Sequence, residues 1–192
     1  MDVFEAIQNR RSIGKVKPDP IDKKLIEKLL EAATWAPNHY RTEPWRFIVF
    51  TGEGRNVLGQ AYADVAKEVA PGMDETEGEE FLQKHIAKAF RAPVVIAVVA
   101  TPSDQPKVVE LEEYGAVYMA IQNMLLAAHA LGLGAICRTG APVYHPKMKK
   151  RLGLNEREML LGLIYVGYPE VQPPTPSRIP FTEKTTWIEQ DQ

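Results

Sequence analysis

Three short stretches carry the residues able to do chemistry: "NRRS" at 9–12, "TWAPNHYRTEPW" at 34–45, and "GLGAICRTG" at 132–140. In the first, Arg10 and Arg11 offer guanidinium forks that bind phosphate in bidentate fashion, and Ser12 adds a hydroxyl or a backbone amide. The same arginines could simply answer a helix dipole. In the second, Trp35 and His39 combine flat faces with hydrogen-bond donors, which suits lining a planar ligand as well as packing a loop. The other histidines, His85, His129 and His145, stand at no ligand spacing to His39, so no metal site is expected. In the third, Cys137 lies inside an apolar strand pattern without a nucleophile elbow, and no covalent catalysis is expected from it. Gly132 and Gly134 follow a helix and precede a strand, the reverse of a dinucleotide fingerprint, and read as a helix stop and a tight turn. Arg138 and Thr139 stand at the exit of that strand as polar groups available to a ligand.

The elements that must position these residues are legible from apolar spacing. Asp2 caps a short helix with Val3, Phe4 and Ile7 as its stripe, which ends at the Arg-Arg-Ser stretch. Asp22 opens a second helix through Leu25, Ile26, Leu29, Leu30 and Ala33 that Pro37 ends, so Trp35 and His39 sit at its carboxyl end. "WRFIVFT" at 45–51 reads as a buried strand, 54–70 as a helix, and "PGMDETEGEE" at 71–80 as an acidic surface loop or lid. After another short helix to about Phe90, "PVVIAVVA" is a buried strand, and a helix from about Leu111 to Leu131 is apolar on nearly all sides, as at a domain centre or subunit interface. A surface helix at "HPKMKKRLGL", a buried strand at "MLLGLIYVGYP", and an extended tail with Pro169, Pro173, Pro174, Pro176 and Pro180 complete one α+β domain spanning 1–192.

Composition narrows the function class. The formal net charge of −2, with 23 basic residues spread along the chain, lacks the electrostatic footprint of a nucleic-acid binder. A single cysteine rules out an intrachain disulfide, no signal peptide is read at the amino terminus, and no apolar run reaches the ~18 residues of a membrane span. A soluble, cytoplasmic protein without nucleic-acid or membrane partners is expected.

Together, "AIQNRRSIGKVKPDPI", "LLEAATWAPNHYRTEPWRFIVFTG", "FRAPVVIAVVA", the long helix and "GLGAICRTG" resemble the FMN-dependent nitroreductase family over nearly the whole chain, and most of all its small NAD(P)H nitroreductases. The resemblance implies a central, mainly antiparallel sheet flanked by helices, in an intertwined homodimer with FMN at the interface. It implies that Arg10, Arg11 and Ser12 hold the FMN phosphate and flavin edge, with Cys137, Arg138 and Thr139 lining the same flavin. Trp35 and His39 would reach that flavin from the other subunit. The end of the long helix, about 127–132, is associated with the nicotinamide cofactor. The implied activity is ping-pong transfer of hydride from NADH or NADPH through FMN to a nitroaromatic, quinone or similar electron-poor small molecule, with no dedicated catalytic side chain. Alternatives are a specialised offshoot, for reductive dehalogenation or flavin fragmentation, and a flavin-storage protein. Two departures stand out. Gly14 replaces a frequent family arginine, which Lys15 could stand in for, and the longer basic carboxyl-terminal segment of larger members is missing, with Lys184 as a candidate substitute.

Overall fold

The valine-rich run predicted as a buried strand is an inner strand of a four-stranded sheet in the computed structural model, which describes residues 1–69, 75–173, 175 and 177–189. In chain order the elements are α1 (Val3–Asn9), α2 (Lys23–Thr34), β1 (Trp45–Thr51), α3 (Arg55–Val69), α4 (Glu75–Ile86), β2 (Val94–Ala100), α5 (Glu110–Ala130), β3 (Gly134–Arg138), α6 (Ala141–Tyr144), α7 (Pro146–Arg151) and β4 (Met159–Gly167). The sheet order is β1-β2-β4-β3 and every strand pair is antiparallel.

Both faces of the sheet are covered, which is why β2 and β4 read as continuous apolar runs. Along β2 the period of two sends Val94, Ile96, Val98 and Ala100 into a core shared with α2 and α5. Val95, Ala97 and Val99 enter a second core shared with α3 and α7. The strand at 45–51, expected to be buried, is instead an edge strand with Arg46, Val49 and Thr51 exposed. Its aromatic and β-branched composition suits one covered face, and composition alone does not reveal how many faces are covered.

The other edge strand, β3, is flanked by the segment that follows α1. Ser12 forms a parallel bridge with Ala135, the Ile13 amide donates to the Ala135 carbonyl at 3.0 Å, and Val16 pairs with Pro169. Two glycines permit this close approach. A Cβ on Gly134 would lie 3.0 Å from Ile13 Cγ2, and one on Gly167 would lie 2.6 Å from Val16 Cβ. Gly134 is therefore a packing glycine and not part of a turn. Gly132 is the helix stop: at φ 74° it lets its own amide reach the His129 carbonyl at 3.0 Å and the Leu133 amide reach that of Ala128 at 2.8 Å, a Schellman motif.

The helix caps follow the sequence, with Asp2 Oδ1 accepting from the Glu5 amide and Asp22 Oδ1 from the Lys24 amide. The acidic 71–80 stretch differs from its expected loop. From Glu75 onward it is the first turns of α4, while 71–74 fall outside the described residues. Pro174 and Pro176 of the tail also lie outside them.

Among the described residues, three apolar surfaces remain open. The α1 stripe of Val3, Phe4 and Ile7 points outward, with Phe4 72% exposed. On α5, Ala116, Val117, Ala120, Met124 and Ala128 are buried while Leu111, Tyr118 and Met119 are exposed, so this helix is covered on one side only. The tail carries Ile179, Phe181, Trp187 and Ile188, all exposed.

Candidate functional site

The eight residues singled out in the sequence fall into two groups. Arg10 is the C-cap of α1, and Ser12 is bridged to β3, the strand whose carboxyl end carries Cys137, Arg138 and, just beyond it, Thr139. Gly14 completes this group: a Cβ there would lie 3.1 Å from Arg138 Nη2, so the Arg138 guanidinium occupies the space a side chain at 14 would need. Lys15 instead turns to Glu170 at 3.8 Å, with both side chains largely exposed.

The first group is cationic and underpaired. Arg10 has its pKa lowered, first by desolvation and then by the charges of Arg11 and Arg178. Arg178 of the tail is thus a carboxyl-terminal cation whose charge Arg10 senses. The Nε atoms of Arg11 and Arg138 are buried without a hydrogen-bond partner among the described residues. Arg11 lines a cavity of roughly 420 Å³ with His129 and Gly132, at the very end of α5 that the family resemblance associates with the nicotinamide cofactor. His129 Nε2 is likewise buried and unpartnered.

Arg138 lines a second cavity, of roughly 320 Å³, with Cys137, Thr139, Tyr62, Lys88 and Arg91. Sequence reasoning missed Lys88, Arg91, Tyr62 and Tyr165. The only available signal was a pair of basic residues just ahead of a buried strand, which any solvated turn also shows. Lys88 has its pKa lowered by desolvation and then by Arg91. Beneath them the hydroxyls of Tyr62 and Tyr165 meet at 3.0 Å, and the Arg138 guanidinium lies 5.4 Å from the Tyr165 ring centre. Burial pushes the Tyr165 phenol far up, and its neutral ring gives Arg138 a face to rest on without neutralising its charge. Among the described residues, no carboxylate lines this cavity. Arg138 has its Nε buried without a partner among the described residues, and with Lys88 and the exposed Arg91 on the same cavity the lining suits an anionic or electron-rich guest.

Cys137 packs toward α5 and the sheet, with its Sγ in the space where Gly162 would carry a Cβ. Burial raises its thiol pKa, which keeps it protonated and weakly nucleophilic. Alkylation of the native protein near neutral pH is expected to run about tenfold slower than that of free cysteine, measured by mass spectrometry, and to keep accelerating beyond the pH where free cysteine levels off.

Trp35 and His39 form the second group. Trp35 is the C-cap of α2 and 80% exposed. The turn after it is backbone-strained: Tyr40, Arg41 and Glu43 have φ of 58°, 55° and 46°. Left-handed conformations cost non-glycine residues roughly 1–2 kcal/mol each. The start of α5 offsets part of this. Glu113, only 1% exposed, accepts from Thr42 Oγ1 at 2.6 Å and from the Ser103 amide at 3.1 Å, and hydrogen bonds to a charged group contribute about 1.5–3 kcal/mol each. Asn38 Oδ1 accepts from the Glu43 amide at 3.0 Å, and His39 Nδ1 lies 2.8 Å from Glu112 Oε2.

His39 and Arg11 do not meet within one chain. His39 is tied to Glu112 near the start of α5, whereas Arg11 lines a cavity with His129 near its end. At 1.5 Å per residue these points are roughly 25 Å apart along the helix. Among the described residues, no cluster of three or more His, Cys, Asp or Glu could hold a metal ion, and no helix of the described residues is long and apolar enough to cross a membrane.

The family model described as the nitroreductase family matches residues 7–168. The chain belongs to the nitroreductase family. YfhC of Bacillus subtilis, which carries an inferred NAD(P)H nitroreductase name, is 32% identical over 183 residues, covering 95% of this chain and 92% of its own. YdjA of Escherichia coli, named in the same way, is 33% identical over 181 residues, covering 94% and 95%. Among solved structures, a nitroreductase-like protein from Bacillus cereus superposes with a TM-score of 0.86 at 29% identity, covering 99% of this chain and 97% of that one. A Desulfovibrio desulfuricans member solved in complex with FMN gives 0.75 at 26% identity over 100% and 99%. The mixed helix and antiparallel-sheet architecture is thus the nitroreductase fold.

Proposed function

We propose that this chain is a cytoplasmic, homodimeric FMN-dependent oxidoreductase that takes reducing equivalents from NADH or NADPH and delivers them to an electron-poor small molecule such as a nitroaromatic or quinone. The observation that carries this reading is the split site. His39 stands by the start of α5, and Arg11, whose Nε is buried without a partner among the described residues, stands by its end, roughly 25 Å away along the helix. A second copy brings the two ends together. The apolar stripe of α1, the outer face of α5 and the tail with Phe181 and Trp187 supply the surface that such a copy would cover.

The residues fit FMN on grounds of charge. Arg10, Arg11 and Ser12 would hold the phosphate. Arg138, with Lys88 and Arg91 behind it and Cys137 and Thr139 beside it, would face the electron-rich edge of the ring system. Trp35 and His39 of the other subunit would cover its open side and exclude water. When bound, FMN supplies the hydride chemistry, which no side chain here provides. The protein's own contribution is to bind, to orient and to set a positive field where negative charge accumulates on reduction. Donor and acceptor would use one pocket in turn, so initial-rate plots should give the parallel lines of a ping-pong scheme. Residues 1–192 act as one domain in this reading.

The deciding experiment is an absorption spectrum of the purified chain, with FMN supplied if needed, before and after anaerobic addition of NADH and NADPH separately, alongside sedimentation. A flavin band that either nucleotide bleaches, on a dimer, is expected. A chain that takes up no flavin sinks the proposal, and bound flavin that neither nucleotide reduces makes it a storage protein.

A further inference from the structure

The His39 turn is held by two consecutive carboxylates of α5 that do different things. Successive helix residues face directions about 100° apart. Glu113 therefore points inward, where it is buried and ties down Thr42 and the Ser103 amide. Glu112 points outward and reaches the ring of His39, 2.8 Å from Nδ1. The ring is also stacked on Tyr40, with centroids 3.9 Å apart and planes 14° from parallel. Glu113 and Asn38 already anchor the strained backbone. The Glu112 contact adds nothing to the backbone and acts on the imidazole alone.

We propose that Glu112 is a positioning residue, which fixes the ring orientation of His39 with the proton on Nδ1, so that Nε2 is the atom presented to the ligand. This rests on the reading of His39 as part of a flavin site completed by a second subunit. A carboxylate only accepts, so Nδ1 must donate to it whether the ring is neutral or charged. Nε2 then has no partner among the described residues of its own chain. The stacked Tyr40 blocks the ring from swinging flat against the turn. Exposed ion pairs of this kind contribute little to stability, and the effect of Glu112 is expected in ligand binding and not in melting temperature.

The test uses the full-length protein with ¹⁵N-labelled histidine rings, assigning His39 by its loss in His39→Gln. Wild type and Glu112→Gln, which keeps an accepting oxygen, should show a protonated Nδ1, and Glu112→Ala should lose that preference. In FMN titrations Glu112→Ala should weaken binding about tenfold and Glu112→Gln less than about twofold. The double variant His39→Gln/Glu112→Ala should bind no more weakly than His39→Gln alone. An unchanged Nδ1 pattern in Glu112→Ala overturns the proposal, as does additivity in the double variant, which would mean that Glu112 acts independently of His39. Equal melting-temperature losses in both Glu112 variants would also overturn it, by making the residue a simple loop anchor. If the wild type takes up no FMN, the functional reading fails, while the ring-nitrogen measurement still decides whether Glu112 sets the His39 proton.

Discussion

Replacing Arg10 with alanine is expected to weaken FMN binding by about ten- to a hundred-fold while leaving the fold intact. Arg10 caps a short exposed helix through its backbone, whose amide donates to Ala6, and alanine preserves that bond. Its guanidinium is half-buried and destabilised as a cation, first by desolvation and then by Arg11 and Arg178. A phosphate relieves both costs at once. Losing one charge-assisted hydrogen bond to a partly buried phosphate removes about 1.5–3 kcal/mol, which sets the fold-change. Titration of the apoprotein by flavin fluorescence measures it, and raised salt should shrink the gap between wild type and variant. Removal of one member of a like-charge cluster should leave the melting temperature of the apoprotein level or slightly raised. Unchanged FMN affinity would place the phosphate elsewhere.

Gly167→Ala is expected to cost about 3 kcal/mol of stability, seen as a melting temperature lower by roughly 6–12 °C. The added methyl would lie 2.6 Å from both Cβ and Cγ2 of Val16 and 3.1 Å from Pro93 Cδ. Val16 Cβ is attached directly to backbone and cannot swing aside, so relief requires the 12–17 segment to lift from the sheet. That segment is bonded to the end of β4 through the Lys17 amide, which donates to the Tyr168 carbonyl at 2.8 Å. It also carries Ser12 and Gly14 to their places beside β3, so FMN affinity should fall together with stability. Val16→Gly in the same chain removes the contacted atoms and should restore part of both losses. A fully stable Gly167→Ala protein would show that the segment is looser than its contacts imply.

These two residues illustrate how differently the site and its scaffold are written in the chain. Arg10 was legible because it sits in a compact tripeptide with one obvious chemistry. Gly167 was legible only as part of a strand, because its reason for being glycine is Val16, some 150 residues earlier. Lys88 and Arg91 escaped notice for the same cause. Ahead of a buried strand, basic residues look like any solvated turn until Arg138 and Tyr62 are seen across the cavity. Residues 75–80 differ from the expected loop because acids favour both exposed loops and helix starts, and packing against α3 separates the two.

By itself the sequence determined what is local. Caps at Asp2 and Asp22, the stop at Gly132, the apolar runs of β2 and β4, and the anion-binding character of Arg10 to Ser12 all depend on neighbours within a few residues. Tertiary structure alone decided which of these pieces share a cavity. It set Arg138 over Gly14, tied His39 to Glu112, and placed His39 and Arg11 at opposite ends of α5. The physical reason is that apolar periodicity reports which side of an element avoids water and says nothing about what covers that side. For β2 the cover is this chain's own helices. For α1 and the outer face of α5, the proposed cover is a second copy.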